Sequence, residues 1–148
     1  MSIDVLWVEE EQRSLRYEMR LAEQQGWNIT YVDTVSRAIE LMNDTAFDLI
    51  VVDLILPLEE FHKQRGFVTP KAGIQLIESI RDSSRKGRTP QNVPLLVISA
   101  VVSPEQKAKV VKTLASDRYY LTKPLEEDTY RRVLMELTEK LDSSVHNL

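Results

Sequence analysis

Four places in this chain of 148 residues put a charged or hydroxyl side chain where an apolar run stops. Asp53 follows Leu49-Ile50-Val51-Val52, and Glu9 and Glu10 follow Val5-Leu6-Trp7-Val8. Ser99 follows Leu95-Leu96-Val97-Ile98, and Lys123-Pro124 comes just after Tyr119-Tyr120-Leu121. A carboxylate at the end of a buried strand costs free energy unless something compensates it. Two or three carboxylates meeting in one place repel, so some must keep a proton or find a cation. The chain has no cysteine, and an oxygen-rich site suits a hard divalent ion such as Mg²⁺. Lys123 offers a second cation that can pair with a carboxylate or a phosphate as a point charge. Ser99 offers a hydroxyl donor. Assembled, these groups describe phosphoryl transfer to a carboxylate, with Asp53 as nucleophile. Mg²⁺ and Lys123 would neutralise the phosphoryl oxygens while Ser99 orients the group. No base is needed, because the carboxylate is already ionised. The acyl phosphate formed is labile and suits a reversible signal.

For these residues to meet, the chain must fold so that four strand ends lie together. Short apolar runs predict strands over Asp4–Val8, Asn28–Val32, Leu49–Val52, Pro94–Ile98 and Tyr119–Leu121. Between and after them the spacing predicts helices over Gln12–Gln25, Ser36–Asn43, Gly73–Ser83, Pro104–Ala115 and Asp128–Leu141. Tyr130, Val133, Leu134, Leu137 and Leu141 fall at i, i+3, i+4, i+7 and i+11. Ser103-Pro104-Glu105-Gln106 reads as a capping Ser, a first-turn Pro and a Gln at N3. Alternating strands and helices imply an α/β fold, a doubly wound parallel sheet with helices on both faces. In such sheets the site lies beyond the carboxyl ends of the strands, at the switch in strand order. Residues 58–72 are expected to be a long loop over the site, and 142–148 a frayed tail. The segment Arg85-Lys86-Gly87-Arg88 should lie at the opposite end of the sheet.

Composition bounds the rest. A single domain over 1–148 is expected, large enough to bury roughly two thirds of its unfolded surface. Lys and Arg number 19 against 23 Asp and Glu, and the net charge of −4 argues against broad nucleic-acid affinity. No run reaches the roughly 20 apolar residues of a membrane span, and Met1-Ser2-Ile3-Asp4 lacks the basic start of a signal peptide. A cytoplasmic location follows as the default. His62 and His146 are isolated, and four glycines include no G-x-G-x-x-G or P-loop. Trp7 and Trp27 read as core or edge packing.

The order of these motifs resembles the receiver domain of two-component response regulators (CheY-like), over about residues 3–141. Asp53 with Pro57 matches the family's Asp-x-x-x-Pro, and Glu9-Glu10 its acidic pair. Ser99-Ala100 matches the hydroxyl and small residue, Lys123-Pro124 the Lys-Pro pair, and Tyr120 the aromatic switch position. The resemblance implies a five-stranded flavodoxin-like sheet in the order 2-1-3-4-5. It implies Asp53 as phosphoacceptor, with Mg²⁺ held by Glu9, Glu10, Asp53 and the backbone carbonyl of Ile55. It further implies a histidine kinase or phosphotransfer protein as donor, a downstream protein as reader, and no enzyme beyond self-phosphorylation and self-dephosphorylation. Phosphorylation would draw Ser99 and Tyr120 inward and remodel the face of the fourth and fifth helices, where two copies could also pair. The chain ends soon after the fifth helix, so a stand-alone receiver is expected.

Two departures stand out. The family usually has an Asp in the acidic pair, and both residues here are Glu. The glycine matching Gly73 usually lies nearer the phosphoacceptor, so 58–72 holds an insertion, in which Phe61, His62, Phe67 and Val68 could pack locally or dock a partner. Ile55 and Val101 occupy positions that tune phosphoryl lifetime in the family; both are apolar, and slow self-dephosphorylation is expected. The alternative is a pseudo-receiver, the same fold used as a phosphorylation-independent binding module. A hydrolase of the haloacid dehalogenase class would need an Asp where Ile55 stands.

Overall fold

The computed structural model describes residues 2–58 and 68–146. The main sheet has five parallel strands: β1 (Ile3–Val8), β2 (Trp27–Val32), β3 (Leu49–Val52), β6 (Leu95–Ser99) and β7 (Tyr120–Thr122). Their order is β2-β1-β3-β6-β7, which is 2-1-3-4-5 counted within this sheet. The helices are α1 (Arg16–Gln24), α2 (Val35–Asp44), α3 (Pro70–Arg81), α4 (Pro104–Leu114) and α5 (Glu127–His146). Two cores divide the sheet. Met42, Leu76, Ile77, Ile80 and Val110 pack one face beneath α2, α3 and α4. Met19, Ala22, Val133, Leu134 and Leu137 pack the other beneath α1 and α5. β3 is buried at every residue, as a central strand covered on both faces must be.

The chain leaves β1 toward β2 on one side and returns to β3 on the other. That reversal leaves a crevice at the carboxyl ends of β1 and β3, and Glu9 and Asp53 stand there. The register fixes their level: Val8 pairs with Val52, the Glu9 amide donates to Val32 O at 2.9 Å, and the Asp53 amide donates to Val8 O at 2.9 Å.

Four details depart from the sequence reading. The expected loop over 58–72 is shorter, because β4 (Leu56–Pro57) and β5 (Val68–Thr69) form an antiparallel pair. α3 then starts at Pro70 rather than Gly73, since Thr69 caps it by accepting the Lys71 amide and Pro70 fills the first turn. Phe61, His62 and Phe67 lie outside the described residues. The first helix opens as a 3₁₀ turn over Gln12–Leu15 before α1. Residues 142–146 of the expected frayed tail instead continue α5 to His146, and 147 and 148 lie outside the described residues. The capping box at Ser103 and Gln106 forms as read.

Candidate functional site

Asp53 sits one residue past the buried Val52 and is 4% exposed. Its Oδ1 accepts the Ile55 amide at 2.9 Å, an Asx-type turn that bends the chain away from the strand and fixes the carboxylate. Its Oδ2 accepts from Lys123 Nζ at 3.1 Å. The same ammonium donates to Glu9 Oε1 at 3.0 Å. Glu9 is fully buried, and its Oε2 accepts the Glu11 amide at 3.2 Å. Lys123 is placed by its own amide, which donates to Ser99 O at 2.8 Å, so β6 and β7 deliver it together.

Two buried carboxylates therefore face one ammonium. Burial, followed by the neighbouring Asp53 carboxylate, pushes the Glu9 carboxyl up to about 8, with Lys123 opposing the rise. Burial works against the Lys123 charge, but Asp53 and Glu9 outweigh it and lift its pKa above the ordinary lysine value. Near neutrality the Glu9 carboxyl therefore holds a proton.

Ser99 is fully buried, and among the described residues its Oγ has no hydrogen-bond partner. A buried hydroxyl left unpaired costs free energy and calls for an explanation. Its strand neighbours the one that ends in Asp53. Replacing Ser99 with Ala should leave stability unchanged or raise it by about 1 kcal/mol, since no bond is lost; urea unfolding reads this directly.

Tyr120 is only 8% exposed and already packs inward, with Lys107 Nζ of α4 5.2 Å from its ring centroid. Burial, with the Asp53 charge adding, raises its phenol pKa. Glu10 behaves differently from Glu9: it is exposed, beside Glu11 and Asp33. Among the described residues, no group of three or more acidic or histidine side chains converges as a metal cage. The inward donors are nevertheless hard oxygens, and Mg²⁺ typically uses one or two carboxylates and keeps its waters. Glu9 and Asp53 fit that need, provided Lys123 yields one of its carboxylates.

One residue that reasoning from sequence left without a role is Gly73. Its amide donates to Leu54 O at 2.9 Å, and a Cβ there would meet Leu54 Cα at 2.3 Å. Helix α3 thus presses backbone to backbone against the residue following Asp53. The Arg85-Arg88 segment lies away from the site, as expected, with a structural task. Arg85 donates to Ile80 O and Arg88 to Asp44 O, satisfying carbonyls at the ends of α3 and α2.

A family model described as response regulator receiver domain matches residues 5–135. Among solved structures, the chain is similar to a response regulator receiver domain protein (CheY-like) from Methanospirillum hungatei JF-1. The identity is 18%, with 100% of each chain covered and a TM-score of 0.70. It is similar to the receiver domain of the Francisella response regulator 1452, at 24% identity, 95% and 94% coverage and a TM-score of 0.64. A response regulator protein from Burkholderia pseudomallei, solved with a phosphorylated aspartic acid, calcium ion and citrate, shares 20% identity. The match covers 97% of this chain and 72% of that one, with a TM-score of 0.64. No curated protein matches the sequence.

Proposed function

The chain belongs to the response regulator receiver domain family, and from that premise we propose that Asp53 accepts a phosphoryl group and that the resulting state is read through protein contacts. One observation carries the reading: a buried carboxylate at the end of β3 is fixed by the Ile55 amide and Lys123. Receiver domains are signalling domains served by histidine kinases or phosphotransfer proteins, and such a donor is the expected partner here. Among the described residues no helix is long and apolar enough to cross a membrane.

The chemistry follows from the residues. An Asp53 oxygen forms a bond to phosphorus as the bond from phosphorus to the donor breaks, and the donor leaves with the electron pair. Lys123, whose Nζ lies 3.1 Å from the Asp53 carboxylate, would neutralise a phosphoryl oxygen, and the Ser99 hydroxyl would gain an acceptor in it. A divalent cation, Mg²⁺ in this reading, would be held by Glu9, Asp53 and the Ile55 carbonyl. It would supply further charge neutralisation at the phosphoryl oxygens. Glu10 would join only if its side chain turns inward. Tyr120 packs inward on the strand beside the one that carries Ser99, and phosphorylation would favour that inward packing through Ser99. Ile55 is half-buried beside Asp53, whereas Val101 is 79% exposed. Hindrance of an attacking water therefore rests on Ile55. A phosphoryl half-life of seconds in purified protein contradicts that reading.

Treating the chain with acetyl phosphate and Mg²⁺ should add one phosphate to the intact mass, and Asp53→Ala should add none. Absence of any gain would favour the phosphorylation-independent binding module. The pH dependence has a definite sign. Glu9 holds a proton below its raised pKa of about 8 and must lose it to coordinate. Affinity for Mg²⁺ should therefore rise with pH through the neutral range and level off above about 8, measured by calorimetric titration. In Glu9→Gln this rise should disappear.

A further inference from the structure

Three cations near the start of the chain have no part in the Asp53 site. Arg13 in the 3₁₀ turn and Arg16 and Arg20 in α1 are exposed, and among the described residues none of them forms an ion pair. Their spacing places them along one face, with Arg16 and Arg20 one turn and roughly 6 Å apart. Like charges at this spacing oppose helix formation unless an anion offsets them. The concentration also runs against a chain whose net charge is −4.

The row lines a cleft of about 530 Å³ between α1 and the edge strand β2, with Gln12, Met19 and Tyr31 also on its walls. Glu23, the carboxylate among its lining residues, accepts the Tyr31 hydroxyl at 2.6 Å, keeps its charge and is outnumbered by the three guanidinium groups. Arg16 and Arg20 present adjacent guanidinium forks to this concavity, with Arg13 at the side it shares with the neighbouring cleft of Glu10, Glu11 and Asp33, and a concavity of this size holds a small ligand. Guanidinium binds phosphate through two parallel hydrogen bonds. One phosphate would occupy one fork, whereas two adjacent phosphates can engage neighbouring forks at once. We propose that the α1–β2 cleft binds a compact ligand carrying two or more adjacent phosphates.

The test titrates sodium pyrophosphate into the full chain at constant ionic strength, followed by amide NMR shifts. Saturable shifts should concentrate in residues 12–24 and 27–32. Affinity should fall roughly tenfold in Arg16→Ala and again roughly tenfold when Arg20→Ala is added. Arg37→Ala, which removes an α2 cation paired with Glu40, should bind as the wild type does. ADP should compete for the same shifts. Tighter binding of ADP would place its organic part on Met19 and Tyr31, and equal binding would place recognition on the phosphates. Shifts centred on Asp53 and Lys123, a drift reproduced by sodium sulfate, or unchanged affinity in both arginine variants would overturn the proposal.

Discussion

Lys123→Ala is expected to destabilise the fold by about 3–5 kcal/mol above pH 9, because it leaves buried charge without a partner. Glu9 and Asp53 are 0% and 4% exposed, and Lys123 Nζ reaches both at 3.0 and 3.1 Å. With the ammonium gone, nothing opposes the burial and mutual repulsion that raise the Glu9 pKa. A carboxyl whose folded pKa is raised binds more protons when folded than when unfolded, so stability rises as pH falls. The deficit of Lys123→Ala should therefore shrink toward pH 6 as the cluster takes up protons. Urea unfolding at the two pH values measures both the size and the sign. Asp53→Asn should do the reverse at neutral pH. It relieves Glu9 of a like charge, and its side-chain carbonyl can still accept the Ile55 amide. Equal losses for the two variants would show that the cluster is not charge-imbalanced.

The second large effect lies outside the charged groups. Gly73→Ala should cost about 3 kcal/mol or more, since its methyl would arrive 2.3 Å from Leu54 Cα. The obstacle is backbone, so trimming a side chain offers no relief. Leu54→Ala should fail to rescue Gly73→Ala, and the double variant should be less stable than either single one. Leu54 follows Asp53, so the shift that accommodates the methyl also moves the carboxylate and slows phosphoryl uptake from acetyl phosphate. Full rescue by Leu54→Ala would mean that side-chain crowding, not backbone contact, sets the need for glycine.

The central strands were legible because their burial is written as runs of Val, Ile and Leu, and Asp53, Ser99 and Lys123 stand near where those runs end. Helix α5 was legible from its stripe, though not its length. Leu141 is the last residue of the stripe as read, and the helix runs on past it to His146. The acidic pair was read as two equivalent groups, but the backbone turns between them, so Glu9 follows Val8 inward while Glu10 faces solvent. The start of α3 is signalled by Thr69-Pro70, but the apolar stripe of Ile74, Ile77 and Ile80 begins only after Gly73, and the spacing therefore places the start there. The close approach of Gly73 to Leu54 is a contact between segments distant along the chain, and a glycine's spacing does not announce it. Nor does spacing show that Tyr120 is buried already. Tyr120 joins the core beneath α2, α3 and α4, with Lys107 of α4 beside its ring.

The central claim is that one carboxylate, Asp53, takes the phosphoryl group. After treatment with acetyl phosphate and Mg²⁺, borohydride reduces an aspartyl phosphate to homoserine, and peptide mass spectrometry locates the reduced residue. The account predicts reduction at Asp53 alone, lost when Lys123 is replaced by Ala. Reduction at Glu9 or Glu10, or a chain that remains unmodified, would contradict it.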